Sequence, residues 1–389
     1  MPSSYKYRIY PTKEQISDFN KTFGCCRFVF NKLLAENIEA YKKYEENKNH
    51  LLKPKITEIT LKNRLTQIRN EPELSWLKEV SAASIRTSAT RLYLAFNNFF
   101  KSNGRFPKFK KKSNKDSIEY TNQDSHIRDG KLILVRINNP IKINFHRPLP
   151  SGKRTSCVIT REPSGKYFAI FTIECEIKKT EGKGYLGIDA GITDLYTFSD
   201  GTTIPNPRFY IKSQKKLIIL SRRHSRTKKG SKNREKARLR LALLYEKITN
   251  QRNDYLHKLS TRIIRENQAV CIESLMISNM VRNHKLAKHI TDAGWGIFRK
   301  MLSYKALQST GCKLYMADPF YPSTQLCSSC GVKPDKKIKL GVTKWICVEC
   351  GTIHKRDPNA SQNLLHLCKR MHELYSNEAK NVILVPSYA

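Results

Sequence analysis

The sequence predicts an α+β chain of several domains: a β-barrel carrying an inserted helical bundle, followed by an α/β domain interrupted by a cysteine ribbon. Three observations predict it. The alternating run Tyr5-Lys6-Tyr7-Arg8-Ile9-Tyr10 is followed by apolar stripes of helical spacing, and then by a return to alternation. Beyond about residue 184, short apolar strands end in carboxylates. Four cysteines in two C-x2-C pairs stand late in the chain. The length, 389 residues, suits two or three such domains.

In order, Pro11 ends the first strand, and Thr12-Lys13-Glu14-Gln15 reads as a capping box, hydroxyl and amide each satisfying the other's orphan backbone donor. Ile16, Phe19, Phe23, Cys26, Phe30, Leu33, Leu34 and Tyr41 then predict one helix. Ile85, Ala89, Leu92, Phe96 and Phe99 predict another packed on it, so residues 12–101 read as the bundle. Residues 131–137, 141–146 and 157–176 are β-rich, the last a hairpin around Glu162-Pro163-Ser164-Gly165. With the first strand they would close a barrel over 1–11 and 102–180, a recognition half. Within it, Phe106-Pro107-Lys108-Phe109-Lys110-Lys111-Lys112 interleaves aromatic and basic residues suited to stacking on bases and contacting phosphates. An ordinary solvated basic loop is the alternative.

The second half opens with Tyr185-Leu186-Gly187-Ile188-Asp189, a strand ending in a carboxylate. Ala190-Gly191-Ile192-Thr193 turns the chain, 195–198 returns, and Ser199-Asp200-Gly201 leads into Thr202-Thr203-Ile204. Such a meander is how an RNase H-like nuclease opens. Ala269-Val270-Cys271-Ile272-Glu273 is a second strand ending in an acid. Trp295, Phe298, Leu302 and Ala306 mark a helix, and 312–317 a further strand. The expected limits are 181–320 and 356–370 for this domain, 321–355 for the ribbon, and 371–389 for a tail with no interpretable pattern.

Cys327 and Cys330 form one C-x2-C pair and Cys347 and Cys350 the other, with sixteen residues between the pairs, the spacing of a zinc ribbon. One structural Zn2+ is expected there, rigidifying a segment too short to own a core. Seven residues past the last cysteine comes Asp357. Because Pro358 follows it, Asp357 also reads as a helix N-cap, with Ala360, Leu364 and Leu367 continuing a helical face. His354 is a candidate to support nearby ligands, the plainer reading being an incidental loop histidine.

Charge points to the partner. With 72 Lys and Arg against 33 Asp and Glu, the formal net charge is +39, and phosphate backbones supply the compensation that such self-repulsion demands. A ribosomal or membrane-surface protein is the plainer alternative, but no apolar span reaches the ~20 residues of a membrane helix. The N-terminus has no apolar signal core, so a cytoplasmic location is expected. The seven cysteines outside the ribbon then read as buried or free thiols. Residues 222–240 carry ten Lys and Arg against the single acid Glu235 and lead into a long helical stretch toward Asn267. A helix there could lie along a nucleic-acid duplex, or be a merely solvated face.

Phosphodiester hydrolysis needs an activated water and a stabilised leaving oxygen, which two divalent ions about 4 Å apart supply. Hard oxygen ligands suit Mg2+, with Mn2+ as a substitute. The sequence offers Asp189 to bridge two ions, with Glu273 and Asp357 each completing one site, and no histidine is required as base. Each acid alone has a plain reading as turn, strand-end or cap residue.

Gly187-Ile188-Asp189-Ala190-Gly191, Cys271-Ile272-Glu273-Ser274-Leu275 and Arg356-Asp357-Pro358-Asn359-Ala360 resemble the three RuvC motifs of TnpB proteins, transposon-encoded relatives of type V CRISPR effectors. The resemblance is nearly full-length. It includes Tyr10-Pro11-Thr12-Lys13-Glu14-Gln15, Arg105-Phe106-Pro107-Lys108-Phe109-Lys110, Asp292-Ala293-Gly294-Trp295-Gly296 and the ribbon. Lys355 departs from it, since the family often has an acid there. The resemblance implies an RNA-guided DNA endonuclease with a RuvC-like core, a guide RNA derived from the transposon end, and a double-stranded DNA target cut beside a short motif. It also implies that the basic element between the first two motifs lies beside guide and target. Two alternatives stay open: a guided DNA-binding repressor that has lost catalysis, against which the intact acids argue, and an RNase H-like transposase or resolvase, which does not typically carry this ribbon. Oligomeric state is not legible.

Overall fold

The computed structural model describes the chain except residues 1, 48–55, 103, 114, 176–180, 310, 340, 379, 381 and 385–389. The chain divides into two compact units, Met1–Glu176 and Ile177–Ala389.

In the first unit, β1 (Pro2–Tyr10) lies between β5 (Ile141–Asn144) and β7 (Tyr167–Glu174), antiparallel to both. With β2 (Asp116–Thr121), β3 (Ser125–Arg128), β4 (Lys131–Leu134) and β6 (Lys153–Arg161) the sheet runs β2-β6-β7-β1-β5-β4-β3. The two edge strands are consecutive in sequence, and the Asp124 N–H donates to the Thr121 carbonyl at 3.2 Å, so the sheet curls into a near-closed barrel. Alternation fills it. Tyr7, Ile9, Ile118, Tyr120, Ile159 and Phe171 are buried in one cluster. The hairpin turns where expected, the Glu162 N–H donating to Lys166 and the Gly165 N–H to Glu162.

Helix α1 (Lys13–Asn47) starts on the expected box: the Gln15 N–H donates to Thr12 Oγ1 at 3.3 Å, and the Thr12 N–H to Gln15 Oε1 at 3.0 Å. The buried Gln15 amide also donates to the carbonyls of Asn138 and Asn139, tying the cap to the barrel. The helix serves two cores. Phe19, Phe23 and Cys26 pack into the barrel cluster. Cys25, Val29, Phe30, Leu33 and Leu34 pack against α2 (Glu58–Asn70), a 3-10 turn (Pro72–Lys78) and α3 (Ala82–Phe100). Two stripe residues differ from expectation. Tyr41 is 46% exposed and Phe99 36% exposed, both near the C-terminal ends of their helices. The strand end expected at Glu176 lies outside the described residues.

In the second unit a six-stranded sheet runs β10 (Thr203–Pro205), β9 (Asp194–Phe198), β8 (Gly184–Ala190), β11 (Asn267–Glu273), β12 (Lys313–Ala317), β15 (Val382–Leu384). The first three form the antiparallel meander, and β11, β12 and β15 follow parallel to β8. Parallel strands need both faces covered, and they are. Leu186, Ile188, Val270 and Ile272 pack on α5 (Lys232–Glu266) and α8 (Trp295–Leu307). Ala269, Cys271 and Tyr315 pack on α9 (Arg356–Tyr375). At Gly187 the helix comes so close that a Cβ would fall 2.1 Å from the Ser361 carbonyl oxygen, so glycine alone fits.

The basic run is not one helix. It ends α4 (Phe209–Arg226), turns at Gly230 with φ +81°, and begins α5. Short helices α6 (Ile277–Met280) and α7 (Ala287–Ala293) precede α8, and the ribbon's β13 (Lys344–Ile346) pairs with β14 (Ile353–Lys355). The region expected as an uninterpretable tail carries structure: α9 continues to Tyr375, and Val382–Leu384 adds a strand beside β12. Three residues are too short a run to show a period. No helix among the described residues is long and apolar enough to cross a membrane.

Candidate active site

Asp189 and Glu273 stand at the same end of neighbouring parallel strands, because Ile188 pairs with Ile272 and each acid is the next residue on. Asp189 is 5% exposed and pairs across β9 with Thr197. Glu273 is half-buried, and the Ser323 hydroxyl donates to its Oε1 at 2.6 Å. Asp357 is exposed on the first turn of α9, the helix that lies on β8. The expected N-cap role is not what the structure gives it. Lys355 occupies the cap with no side-chain bond, and Asp357 is the second helical residue.

Charge reaches two of these acids from their neighbours. Burial first, then the charges of Glu273 and Asp357, push the Asp189 carboxyl well above the ordinary carboxylate range, with Arg356 opposing. Burial likewise raises Glu273; the Ser323 hydrogen bond and Arg356 oppose it, and Asp357 adds to it. The ends of two central strands and a helix start thus bring three acids beside one guanidinium, an arrangement that a bound cation would relieve.

The cysteine ribbon is built from two equal knuckles. The Gly331 N–H donates to Cys327 O at 2.8 Å and the Gly351 N–H to Cys347 O at 2.9 Å, each glycine in the left-handed region with φ of +78° and +69°. The four sulfurs of Cys327, Cys330, Cys347 and Cys350 lie within 4.8 Å of one another, with Cys327–Cys350 at 3.6 Å and Cys330–Cys347 at 3.7 Å. A tetrahedron with metal–sulfur bonds of ~2.3 Å has edges of ~3.8 Å, so the donor set and its spacing fit Zn2+. His354 is no loop histidine. It is buried on β14 against Trp345, its Nε2 3.0 Å from Cys327 Sγ, where a protonated Nε2 donates to the sulfur.

Sequence reasoning missed several polar supports. The buried Asp292 accepts from the backbone N–H groups of Tyr210 (2.9 Å) and Ile211 (3.1 Å), capping α4, whose own N-cap Arg208 offers no side-chain bond. Gly294, at φ +71°, leaves α5 room: a Cβ there would lie 3.1 Å from Arg252. The Asp292-Ala293-Gly294 motif therefore seats the basic α4–α5 hairpin, along which Arg222, Arg223, Arg226, Lys228, Lys229, Lys232, Lys236 and Arg240 are exposed. In the first unit, Asn31 holds the backbone of Lys110 by two bonds, of 2.7 and 2.9 Å, and the Lys110 ammonium lies over Phe30. Phe106 packs edge-on against Phe96 and Phe99, leaving Phe109, 51% exposed, as the freer ring.

Fold and site define a class: an RNase H-like sheet with clustered carboxylates, a four-cysteine ribbon and a near-closed barrel with its helical bundle. Family models match in three places: a "Probable transposase" model of IS605 OrfB proteins over residues 168–284, a helix-turn-helix model over 1–46, and a Cas12f1-like TNB domain over 295–364. In this chain, residues 2–46 hold a strand and part of a single helix. A Streptomyces pristinaespiralis protein named "Putative RNA-guided DNA endonuclease" is 39% identical over 93% of this chain and 88% of its own length. The Escherichia coli K12 protein "Putative RNA-guided DNA endonuclease InsQ" is 30% identical over 93% and 91%. The chain belongs to the TnpB family, the IS605 OrfB proteins. Its fold is like that of Cas12f1 in a cryo-EM structure of a Cas12f1-sgRNA-target DNA complex, with a TM-score of 0.52 at 13% identity over 90% of this chain and 82% of that one.

Proposed function

We propose that this chain is an RNA-guided DNA endonuclease of a transposon, in which Asp189, Glu273 and Asp357 hold the ions of phosphodiester hydrolysis and Cys327, Cys330, Cys347 and Cys350 hold one structural zinc. What supports it is the placing of three acids on two neighbouring parallel strands and one helix start, with the charges of Glu273 and Asp357 reaching the buried Asp189. All-oxygen donors of this kind suit Mg2+, with Mn2+ as a substitute. Two such ions, when bound, supply activation of water and neutralisation of the leaving oxygen. Asp189, Glu273 and Asp357 would hold these ions, Asp189 being the acid that the charges of both others reach. Arg356 offsets part of the negative charge before any ion arrives. The thiolate cluster has no open position for water and serves folding.

The partners are a guide RNA from the transposon end and a double-stranded DNA target. The names of the relatives, the net charge of +39 and the exposed basic hairpin support this. Guide pairing would choose the site, while the protein reads duplex shape and a short adjacent motif. Purified with its RNA and given Mg2+, the protein should cut duplex DNA only where the guide matches beside that motif, and recoding the guide should move the cut. Cutting that ignores the guide, or joined strands among the products, would favour a transposase or resolvase. Sequence-specific binding without cleavage would favour an idle repressor.

A further inference from the structure

Glu273 and Asp357 are carried by different elements, and something must hold the Glu273 carboxylate in one orientation relative to the helix that bears Asp357. The Glu273 side chain stands at the end of a strand and is half-buried. Ser323 holds it, its hydroxyl donating to Oε1 at 2.6 Å, the length of a charge-assisted O–H···O bond. Ser323 is 3% exposed and sits where the chain leaves the sheet for the ribbon.

That lead-in loop is held by α9. Asn363 Nδ2 donates to the carbonyls of Ser323 and Leu326, both at 2.8 Å, and Asn359 Nδ2 donates to Leu326 O at 2.7 Å. Asn359 Oδ1 accepts the N–H of Ser328, inside the first cysteine knuckle, at 2.9 Å. Tyr321 closes the circuit, its hydroxyl donating to the Asn363 carbonyl at 3.3 Å. The two asparagines are 2% and 4% exposed, one helical turn apart, and Asn359 follows Asp357 by two residues. Asparagine is a poor residue for a helix interior and expensive to bury unpaired. Here the two amides gain four bonds, all to the loop. Only an amide offers both the donor that Leu326 needs and the acceptor that Ser328 needs; aspartate would lose the first and leucine both.

We propose that Ser323 is a positioning residue for the carboxylate site: through Asn359 and Asn363 it fixes the Glu273 carboxylate against the helix carrying Asp357, so that the first cysteine knuckle and the acids are set as one unit. This rests on the carboxylate reading above. Ser323 leaves the other oxygen of Glu273 free for a cation while removing the rotational freedom that binding would otherwise have to freeze.

The test uses the full chain assembled with its guide RNA. Mn2+ binding is followed by electron paramagnetic resonance, and cleavage is titrated with Mg2+, for wild type, Ser323→Ala, Asn363→Ala and Asp189→Ala. Loss of a partner behind a metal ligand costs about 10–100-fold in metal affinity. Ser323→Ala should therefore weaken Mn2+ binding by about tenfold or more and raise the half-saturating Mg2+ by a similar factor. Excess Mg2+ should restore most of the rate, and zinc content and RNA assembly should be unchanged. Asn363→Ala should shift Mn2+ binding in the same direction. Normal Mn2+ affinity in Ser323→Ala beside a loss in Asp189→Ala would overturn the proposal alone. Loss of zinc or RNA from Ser323→Ala would replace positioning by a folding role and overturn it too. Unaltered Mn2+ binding in Asp189→Ala would remove the carboxylate reading and this proposal with it.

Discussion

The two proposed ligand sets of the second unit are opposites in how they are built. The cysteine ribbon gathers its four sulfurs from 24 consecutive residues, with two matching knuckles each closed by a left-handed glycine. The carboxylates come from positions 189, 273 and 357, on two strands and a helix, and meet only because the sheet is parallel there and α9 lies on Gly187. The first is gathered within one segment and tied to α9 at Ser328, and the second is a product of the whole domain. A closed thiolate cage suits permanence. An open, self-repelling acid cluster suits ions that come and go with substrate.

The sharpest way to break that contrast is to remove one member of each set. Alanine at Asp189, Glu273 or Asp357 should abolish cleavage while leaving RNA and DNA binding intact, since taking negative charge from a chain of net charge +39 does not weaken its hold on polyanions. Gel shifts and cleavage on the same preparations decide it, and near-normal cutting by Asp189→Ala would strike that residue from the site. Cys330→Ser should behave differently. The protein should lose its zinc, about one per chain by metal analysis of the wild type, and unfold around the ribbon, because structural zinc affinity is folding free energy. Full zinc occupancy in that variant would make the ligand set wrong.

A smaller effect is expected at Asp292, which belongs to neither set but seats the basic hairpin. Asp292→Ala removes the acceptor of two N–H bonds at the start of α4 and should cost about 1–3 kcal/mol, the range for a lost cap and for bonds to a charged group. Hydrogen exchange should speed up at Tyr210 and Ile211 while the amides of β8 stay protected. Uniform loss of protection would instead mean that Asp292 supports the whole domain.

The same contrast explains what was legible in the sequence. Features written within a few residues were readable: the Thr12–Gln15 box, the knuckle spacing, and the strands ending in Asp189 and Glu273. Features whose meaning lies in a distant partner were not. The edge strand Asp116–Thr121 is mostly polar and owes its place to β6. Val382–Leu384 owes its place to β12. Asp292 stands out in the sequence only within the Asp292–Gly296 resemblance, and what it holds is visible only once α4 is seen to start on it. Asn359 and Asn363 did leave a signal, two poor helix formers one turn apart beside a predicted apolar face, but nothing in the sequence says what they hold.

The smallest expected effect concerns the acids without their ions. Asp189 has its carboxyl pushed well above the ordinary range, chiefly by burial and then by Glu273 and Asp357. The folded state therefore holds a proton there more tightly than the unfolded chain does. Its contribution to stability is present in acid and is lost as pH rises from the ordinary carboxylate range through the raised folded value. Above that window the ionised carboxylate is a burden on the fold. Asp189→Asn, neutral and of the same shape, should then unfold at a higher temperature than wild type in buffer free of added Mg2+ at neutral pH, with the gap closing as pH falls. Adding Mg2+ should reverse the order, stabilising wild type by ligand linkage while leaving the asparagine variant little changed. Zinc content should be equal in both, since the ribbon's ligands are untouched. Identical melting curves at neutral pH without Mg2+ would mean that Asp189 is not under the repulsion that its neighbours imply, and the contrast between a closed cage and a strained open site would lose its physical basis.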